Sequence, residues 1–399
     1  MSSNSEKNIF KKFVNSNTGS GVVLFTCVIL ALTLANTGFF ESLNNFISTQ
    51  VGFKNASIDL RYSLDSWVND GLMAIFFFLV GLEIKREIVD GQLSSPRQAA
   101  LPILGAMGGA IVPALFYFGL NYNEPTHHGW GIPMATDIAF ALVVVSLLGK
   151  NVPVSLKVFL AALAIIDDLL AILVIAIFYS TELHFIYLLY AGIIIAGLIL
   201  LNRFGVKNIW LYIIPGLFVW YFFHHSGIHA TIAGVIVAMC IPTKGKGTET
   251  PPSTRLEHSL GVPVNFLIIP IFAFVNTLIP LHSEMLGGLT EPLGLGIMLG
   301  LVVGKPIGIT FTCWICIRLG LSNLPNQATW KHIFSIGLLA GIGFTMSIFI
   351  SMLSFDENLL IEEAKLSVLL GSLTAGLLGS LFLWTLGRRN KQITQKSFN

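Results

Sequence analysis

The sequence predicts an all-α polytopic membrane protein, and three observations support this fold class. Of the 399 residues, 54% are hydrophobic and only 11% are charged, whereas about 25% are charged in an ordinary soluble domain. Apolar segments long enough to be membrane spans follow one another along the whole chain. Lys and Arg collect in alternate connections between these segments. A soluble globular fold is therefore disfavoured.

Twelve apolar segments are the predicted transmembrane helices, and no soluble domain interrupts them. The full chain, 1–399, is therefore expected to form a single transmembrane domain. The segments cover residues 19–40, 64–84, 98–120, 131–149, 155–179, 184–202, 208–224, 227–241, 262–280, 293–317, 333–354 and 364–386.

The distribution of Lys and Arg predicts the orientation of the spans. With the N-terminus placed in the cytoplasm, 19 of the 23 basic residues lie on the cytoplasmic side, and only Lys54, Arg61 and Lys365 lie outside. Such an excess marks the cytoplasmic side of a membrane protein, so both termini are predicted to be cytoplasmic. The outer connection 41–63 alternates weakly between apolar and polar residues, which predicts a short β-hairpin. The Gly- and Pro-rich connection 242–256 is predicted to be a loop.

Two adjacent carboxylates, Asp167 and Asp168, lie near the middle of the fifth segment. An ionised residue at this depth costs roughly 2.5–3.5 kcal/mol, so a plain membrane anchor is not expected to contain two. Successive residues of a helix point about 100° apart, so the two carboxylates cannot do the same job. We expect one to face a cavity and bind a cation, and the other to face a partner on a neighbouring helix.

Two spans carry polar or helix-breaking residues in their middle. In the fourth, Pro133 precedes the polar pair Thr136 and Asp137, and in the eleventh the interruption covers 341–347. Unwound backbone at this depth is tolerated only where it is buried in protein or lines a cavity. A pair of interrupted spans in the two halves of a chain indicates the substrate site of a transporter. Asp137 is expected to neutralise the positive ends of the half-helices.

Lys305 lies deep inside the tenth segment, far from either membrane interface. It is expected to neutralise the negative ends of the half-helices or to pair with a carboxylate, either one of Asp167 and Asp168 or Asp137. The same segment carries glycines four residues apart on one face, which predicts close contact with another helix. They are Gly296, Gly300, Gly304 and Gly308.

Four motifs make the chain similar to the NhaA-type Na+/H+ antiporters. They are Gly81-Leu-Glu83-Ile-Lys-Arg86-Glu87, Ala135-Thr-Asp137-Ile-Ala-Phe140, Ile165-Ile-Asp-Asp168 and Val303-Gly-Lys305-Pro-Ile-Gly308. The resemblance extends from the second segment to the twelfth. It implies an NhaA-like fold with two inverted-topology repeats, about 98–179 and 293–386, whose broken helices cross.

The resemblance also implies roles for individual residues. The ion-binding and proton-carrying residues are implied to be Asp167, Asp168, Thr136, Asp137 and Lys305, with the transported Na+ held transiently by Asp168 and Asp167. The residues that sense pH are implied to be Glu83, Arg86, Glu87, Glu257, His258 and His229. Asp70 matches a family position near the outer side. Some relatives have a second histidine three residues after His258, where this chain has Gly261.

These features predict a pH-regulated secondary antiporter that exchanges cytoplasmic Na+ or Li+ for external protons across a bacterial inner membrane. Two alternatives remain open: a sodium-coupled transporter of organic anions with a similar fold, and an intramembrane aspartyl protease that uses Asp137 and Asp168. The chain has no G-x-x-x-x-G-K-[ST] motif for ATP. Neither an enzyme activity, a cofactor nor a nucleic-acid partner is expected. The expected partners are membrane lipids and, from the resemblance, a second copy bound through 41–63.

Overall fold

The structure is a computed structural model, which describes residues 17–54, 60–149, 152–180, 183–243 and 250–396. The centre of the predicted hairpin, 55–59, and much of the predicted loop, 244–249, lie outside the described residues. Within the described part, seven helices are long and apolar enough to cross a membrane, and two bent pairs bring the number to nine if each pair is one span. The helical membrane class is confirmed, whereas the number twelve stays a prediction.

The chain divides into two compact units, and the first contains Gln92–Ala171 and His282–Asn399. Its helices are Pro96–Asn121, Ile138–Leu147, most of Val154–Phe178, Ser283–Gly288, Pro292–Leu299, Lys305–Arg318, Trp330–Ala340, Phe344–Ser354 and Asn358–Lys396. Shorter 3-10 turns cover Gln92–Ser94 and Pro125–Met134, and a π-helical turn covers Gly300–Gly304.

The predicted glycine face packs against Pro96–Asn121 in this first unit. A Cβ added to Gly304 would lie 2.9 Å from the Cα of Pro113, and one added to Gly308 would overlap the carbonyl of Gly108. At either position, a Cβ would come too close to the backbone of the neighbouring helix. The glycines therefore allow two helix backbones to approach closely, as the spacing predicts.

The second unit contains Val22–Gly91 and Ile172–Leu281. Its helices are most of Asn17–Ala35, then Phe40–Ile47, Leu64–Ser66, Met73–Val89, Phe185–Arg203, Trp210–His224, Thr231–Cys240, Pro252–Pro263 and Ile269–Asn276, with π-helical turns at Trp67–Leu72 and Val264–Ile268. Its two strands, Gln50–Val51 and Tyr62–Ser63, pair antiparallel with Gln50 opposite Ser63.

Met73–Val89 packs closely against Thr231–Cys240 at the centre of the second unit. A Cβ on Gly81 would lie 2.8 Å from the Cβ of Ala238, so glycine is needed for this approach. At the end of the contact, Nζ of Lys85 donates to the carbonyls of Met239, at 2.6 Å, and Ile241. These carbonyls have no partner within their own helix, and the ammonium satisfies them.

Three predicted boundaries differ from the structure. The predicted loop 242–256 is wrong at its end, because a helix begins at Pro252, where the missing N–H of proline would have no helical partner anyway. The first part of the predicted hairpin 41–63 belongs to the helix Phe40–Ile47, whose apolar residues recur at helical spacing. The last helix runs over Asn358–Lys396, well beyond the predicted 364–386.

Candidate functional site

The first broken span joins the 3-10 turn Pro125–Met134 to the helix Ile138–Leu147 with a bend of 44°. Asp137 is the N-cap of the second half, and its Oδ1 accepts the backbone N–H of Phe140 at 2.9 Å. A carboxylate in this position satisfies a free N–H and interacts favourably with the positive end of the helix dipole. The predicted interruption at Thr136 and Asp137 is confirmed.

The second broken span joins Trp330–Ala340 to Phe344–Ser354 with a bend of 50°. Helix resumes at Phe344, so the interruption is shorter than the predicted 341–347. The hydroxyl of Ser372 accepts the N–H groups of Gly343, at 3.2 Å, and Phe344, at 3.0 Å. Sequence reasoning missed Ser372, although a serine in the middle of an apolar segment is a signal that could have found it.

The two breaks are hydrogen-bonded to each other. Oδ2 of Asp137 accepts the backbone N–H of Thr345 at 3.1 Å and its hydroxyl at 2.6 Å. In the reverse direction, the Thr136 hydroxyl donates to the carbonyl of Ala340 at 2.8 Å, and the Asp137 N–H donates to the carbonyl of Ile342 at 2.7 Å. Asp137 thus caps the positive ends of the helices that follow the two breaks, as expected. The first break also donates hydrogen bonds to carbonyls at the negative end of the helix that precedes the second break.

Lys305 begins the helix Lys305–Arg318, directly after the π-helical turn. Its Nζ donates to the carbonyl of Met134, at the end of the first half of the first broken span, and to Oδ2 of Asp167 at 2.6 Å. Both partners of the ion pair are fully buried. Of the two roles predicted for Lys305, the structure shows both: it neutralises a negative helix end and pairs with a carboxylate.

Asp167 and Asp168 lie side by side in Val154–Phe178, and each is only 1% exposed. The expectation that one of them faces a helix partner is confirmed for Asp167 through Lys305. Asp168 lies within electrostatic range of the same ammonium.

The site has an excess of potential negative charge. Three buried carboxylates, Asp137, Asp167 and Asp168, accompany one buried ammonium, Lys305. Because burial makes an uncompensated charge costly, such a site has a strong tendency to take up a cation or a proton. Among the described residues, no group of three or more His, Cys, Asp or Glu could hold a resident metal ion.

The second unit brings together part of the predicted pH-sensing group. Nη1 of Arg86 lies 2.6 Å from Oε1 of Glu257, and Nη2 lies 3.1 Å from Oε1 of Glu87. Glu83, one turn before Glu87, is within electrostatic range of all three. Glu257 is buried, whereas His258 is exposed. The structure therefore places Glu83, Arg86, Glu87 and Glu257 in one cluster, with His258 at its edge.

His229 is not part of this cluster, because it contacts the opposite end of the helical stretch 64–89. Its Nε2 is 3.5 Å from Oδ1 of Asp70, and its Nδ1 is 2.8 Å from the hydroxyl of Thr231. Nδ1 of His224 is 3.6 Å from Oδ2 of the same aspartate. Sequence reasoning missed His224, because only the fold brings the end of one helix against the start of another.

Helices of membrane-spanning length and a buried charged site between two broken spans define an integral membrane protein of the transporter class. Residues 11–383 match the family described as Na+/H+ antiporter 1. The chain is 56% identical over 385 residues to the Na(+)/H(+) antiporter NhaA 2 of Flavobacterium johnsoniae, covering 96% of this chain and 94% of that protein. It is 47% identical over 376 residues to the Na(+)/H(+) antiporter NhaA of Escherichia coli O139:H28, covering 93% and 97%, and matches NhaA of Shigella boydii serotype 4 to the same extent. The chain belongs to the Na+/H+ antiporter 1 family, whose members are transporters and not enzymes.

Proposed function

We propose that the protein is a secondary active antiporter that exchanges cytoplasmic Na+ or Li+ for external protons through Asp167 and Asp168. The observation that carries this proposal is the buried pair itself, with Lys305 held 2.6 Å from Asp167 where two broken spans meet. Family membership supports Na+/H+ antiport as the activity. The roles of the individual residues rest on the geometry.

The coupling of Na+ transport to proton transport follows because Na+ and the proton compete for the same carboxylate oxygens. A carboxylate oxygen that binds a proton cannot at the same time bind Na+, so the two ions occupy the pair in turn. Hydroxyl and carbonyl oxygens at the breaks, such as those of Thr136 and Met134, are hard ligands suited to the same kind of cation. The protonated and the Na+-bound forms of the carboxylate pair therefore alternate, and the proton and Na+ do not cross the membrane together.

The ion pair with Lys305 is a third state of the Asp167 carboxylate, in addition to the protonated and the Na+-bound states. While its ammonium holds Oδ2 of Asp167, that oxygen is unavailable to an incoming ion. Uptake of Na+ or of a proton by Asp167 then requires the ion pair to open. An internal cation of this kind keeps the empty site from being an uncompensated buried charge.

Two observations favour this function over the alternatives. A proton-sharing aspartyl dyad needs two carboxylates free to share a proton, but both oxygens of Asp137 accept hydrogen bonds from helix ends. The surplus of buried carboxylates favours cations over an organic anion as the substrate.

The finer architecture is also part of the proposal. We propose twelve spans with both termini in the cytoplasm of a bacterial inner membrane, which agrees with the excess of basic residues on one side. We also propose inverted repeats about 98–179 and 293–386. Each proposed repeat contains one bent pair of helices between two long ones, which supports the assignment. The proposal also includes a homodimer through 41–63 and control of the activity by pH. The residues proposed for this control are Glu83, Arg86, Glu87, Glu257, His258 and His229.

Everted membrane vesicles test the transport role directly. Addition of Na+ or Li+, but not of K+ or choline, should dissipate a preformed pH gradient. Asp168→Asn should abolish this response in folded, inserted protein, because the amide keeps the shape of the side chain but carries neither a charge nor an ionisable proton. Asp356→Asn, the same change at an exposed aspartate of the same unit, is the matched control. Na+-dependent proton flux through the Asp168 variant would contradict the assignment.

A further inference from the structure

We propose that a groove in the first unit, outside the transport site, binds an anionic phospholipid of the cytoplasmic leaflet. The groove has a volume of about 470 Å³ and lies between the start of Trp330–Ala340 and residues 382–386 of Asn358–Lys396. It is lined by Trp330, Lys331, Phe334, Phe382, Thr385 and Leu386. This inference concerns a lipid partner and goes beyond the antiport activity.

The floor of the groove suits a hydrocarbon chain. The rings of Phe334 and Phe382 lie with their centroids 6.3 Å apart, and Phe382 is 46% exposed. Four of the six lining side chains are aromatic or aliphatic, and none is acidic. In a membrane protein an apolar slot of this kind is in contact with lipid chains, so its apolar character alone does not select a headgroup.

The mouth of the groove supplies positive charge. Lys331 is exposed, and the guanidinium of Arg388 lies 3.8 Å from the ring centroid of Trp384. Arg388 is three residues after Thr385, and side chains at this spacing are neighbours on a helix surface. Among the described residues, neither Lys331 nor Arg388 has an acidic partner. Their charges are therefore available to an anion from outside the chain.

Two further features place a phosphate at this mouth. The 11-residue helix Trp330–Ala340 begins here, and the positive end of its dipole favours a nearby anion. Trp330 and Trp384 flank the basic residues, and tryptophan is enriched at the level of lipid headgroups. In the orientation proposed above, both basic side chains lie on the cytoplasmic side, which carries the excess of Lys and Arg. Headgroup charge and acyl chain are thus recognised by adjacent surfaces.

Quenching of tryptophan fluorescence by brominated lipid measures the binding. The full-length protein is placed in phosphatidylcholine vesicles containing increasing fractions of brominated phosphatidylglycerol, with brominated phosphatidylcholine as the reference. The signal of Trp330 is the difference between the parent and Trp330→Phe. We expect this signal to be quenched at low fractions of phosphatidylglycerol, whereas brominated phosphatidylcholine should quench only in proportion to its fraction.

Three variants separate the charges of the mouth from the shape of the floor. K331Q/R388Q should bind phosphatidylglycerol about 30-fold more weakly, because each basic residue at an anionic surface contributes about 1 kcal/mol. Thr385→Phe keeps both charges but fills the slot, and it should also lose the preference. Arg318→Gln, which removes another arginine that lies over a tryptophan ring, should bind like the parent.

Three results would overturn the proposal. Equal quenching of the parent by both lipids would show that the groove selects no headgroup. Unchanged selectivity in K331Q/R388Q would place the anionic lipid elsewhere. Displacement of the brominated lipid by inorganic phosphate would make the mouth a site for soluble anions. Because none of these readouts uses transport, the result is independent of the antiport assignment.

Discussion

At the scale of single residues, Lys305 holds two different negative groups together. One is the carboxylate of Asp167, and the other is the carbonyl that ends the first half of the first broken span. Removing one member of a buried pair leaves the other charge uncompensated, whereas removing both members is far less damaging. The geometry therefore predicts non-additive effects of substitutions at the two positions.

Lys305→Ala should lower the stability by on the order of 3–5 kcal/mol, reduced to the extent that Asp167 takes up a proton. The measurement is thermal melting in detergent across the neutral range of pH, together with antiport in vesicles. The double variant Asp167→Asn/Lys305→Met should melt closer to the parent than Lys305→Ala does, although it should not transport. If the loss in the double variant equalled the sum of the losses in Asp167→Asn and Lys305→Met, the pair would not be energetically coupled.

At the scale of elements, each helix end or helix contact in the site depends on one small or polar side chain. The approach of Lys305–Arg318 to Pro96–Asn121 requires Gly308, because a Cβ there would overlap the carbonyl of Gly108. The start of Trp330–Ala340 depends on His332, whose Nδ1 accepts the N–H of Thr329 at 3.1 Å. Both are local features with separate tests.

Gly308→Ala should destabilise the protein by about 1–3 kcal/mol, the usual cost of overpacking, because backbone rather than a flexible side chain occupies the space. The readout is the melting temperature in detergent. Gly192→Ala is the matched control, since a Cβ there meets nothing within 4 Å. In mid-helix, alanine should be neutral or stabilising by up to about 1 kcal/mol. Equal melting of both variants would mean that the helices can separate without cost.

His332→Ala should cost about 1 kcal/mol, the typical value for a lost cap, and should speed amide hydrogen exchange at Thr329. His332→Gln should retain most of the stability, because glutamine at this position also accepts the N–H of the capping residue. His332 is only 3% exposed, so loss of packing is a second contribution to the alanine variant. If alanine and glutamine gave the same exchange rate at Thr329, the hydrogen bond would not be the cause.

At the scale of the whole molecule, the sequence could predict the membrane class, both interruptions and the burial of four charged residues near them. The free-energy cost of a charged side chain at mid-membrane marks the four residues as functional candidates from the sequence alone. They are Asp167, Asp168, Asp137 and Lys305. Which aspartate pairs with Lys305 depends on the rotation of one helix against another, and that is a tertiary property. The same holds for Ser372 and His224, whose partners are distant in the sequence.

Distance along a helix also divides the residues that were predicted to sense pH. Asp70 and Arg86 are 16 residues apart in the helical stretch 64–89, which corresponds to about 24 Å at 1.5 Å per residue. His229 is at the Asp70 end, and Glu257 is at the Arg86 end. The group around Asp70 and the group around Arg86 therefore lie at opposite ends of this helical stretch, and each can be tested alone.

Glu257→Gln should displace the curve of exchange rate against pH while leaving a substantial maximum rate. Loss of the carboxylate removes the 2.6 Å ion pair with Arg86 and changes the potential met by an approaching cation. Exchange in vesicles over a range of pH is the measurement, and Glu362→Gln, a change at a glutamate of the other unit, is the control. Loss of exchange at every pH in folded protein would place Glu257 in the ion path. A curve that matches the parent's would reduce the ion pair to a structural contact.

The hydrogen bonds between the two breaks have a consequence for biosynthesis. Asp137 and Thr345 are 208 residues apart in the chain, so the hydrogen bonds between the two breaks cannot form until the second break has left the ribosome and entered the membrane. Until then, a half-finished span carries unsatisfied backbone groups and a carboxylate among lipids or helper proteins. A nascent chain of this protein should therefore remain dependent on its insertion machinery until translation has passed Thr345 and the second break has entered the membrane.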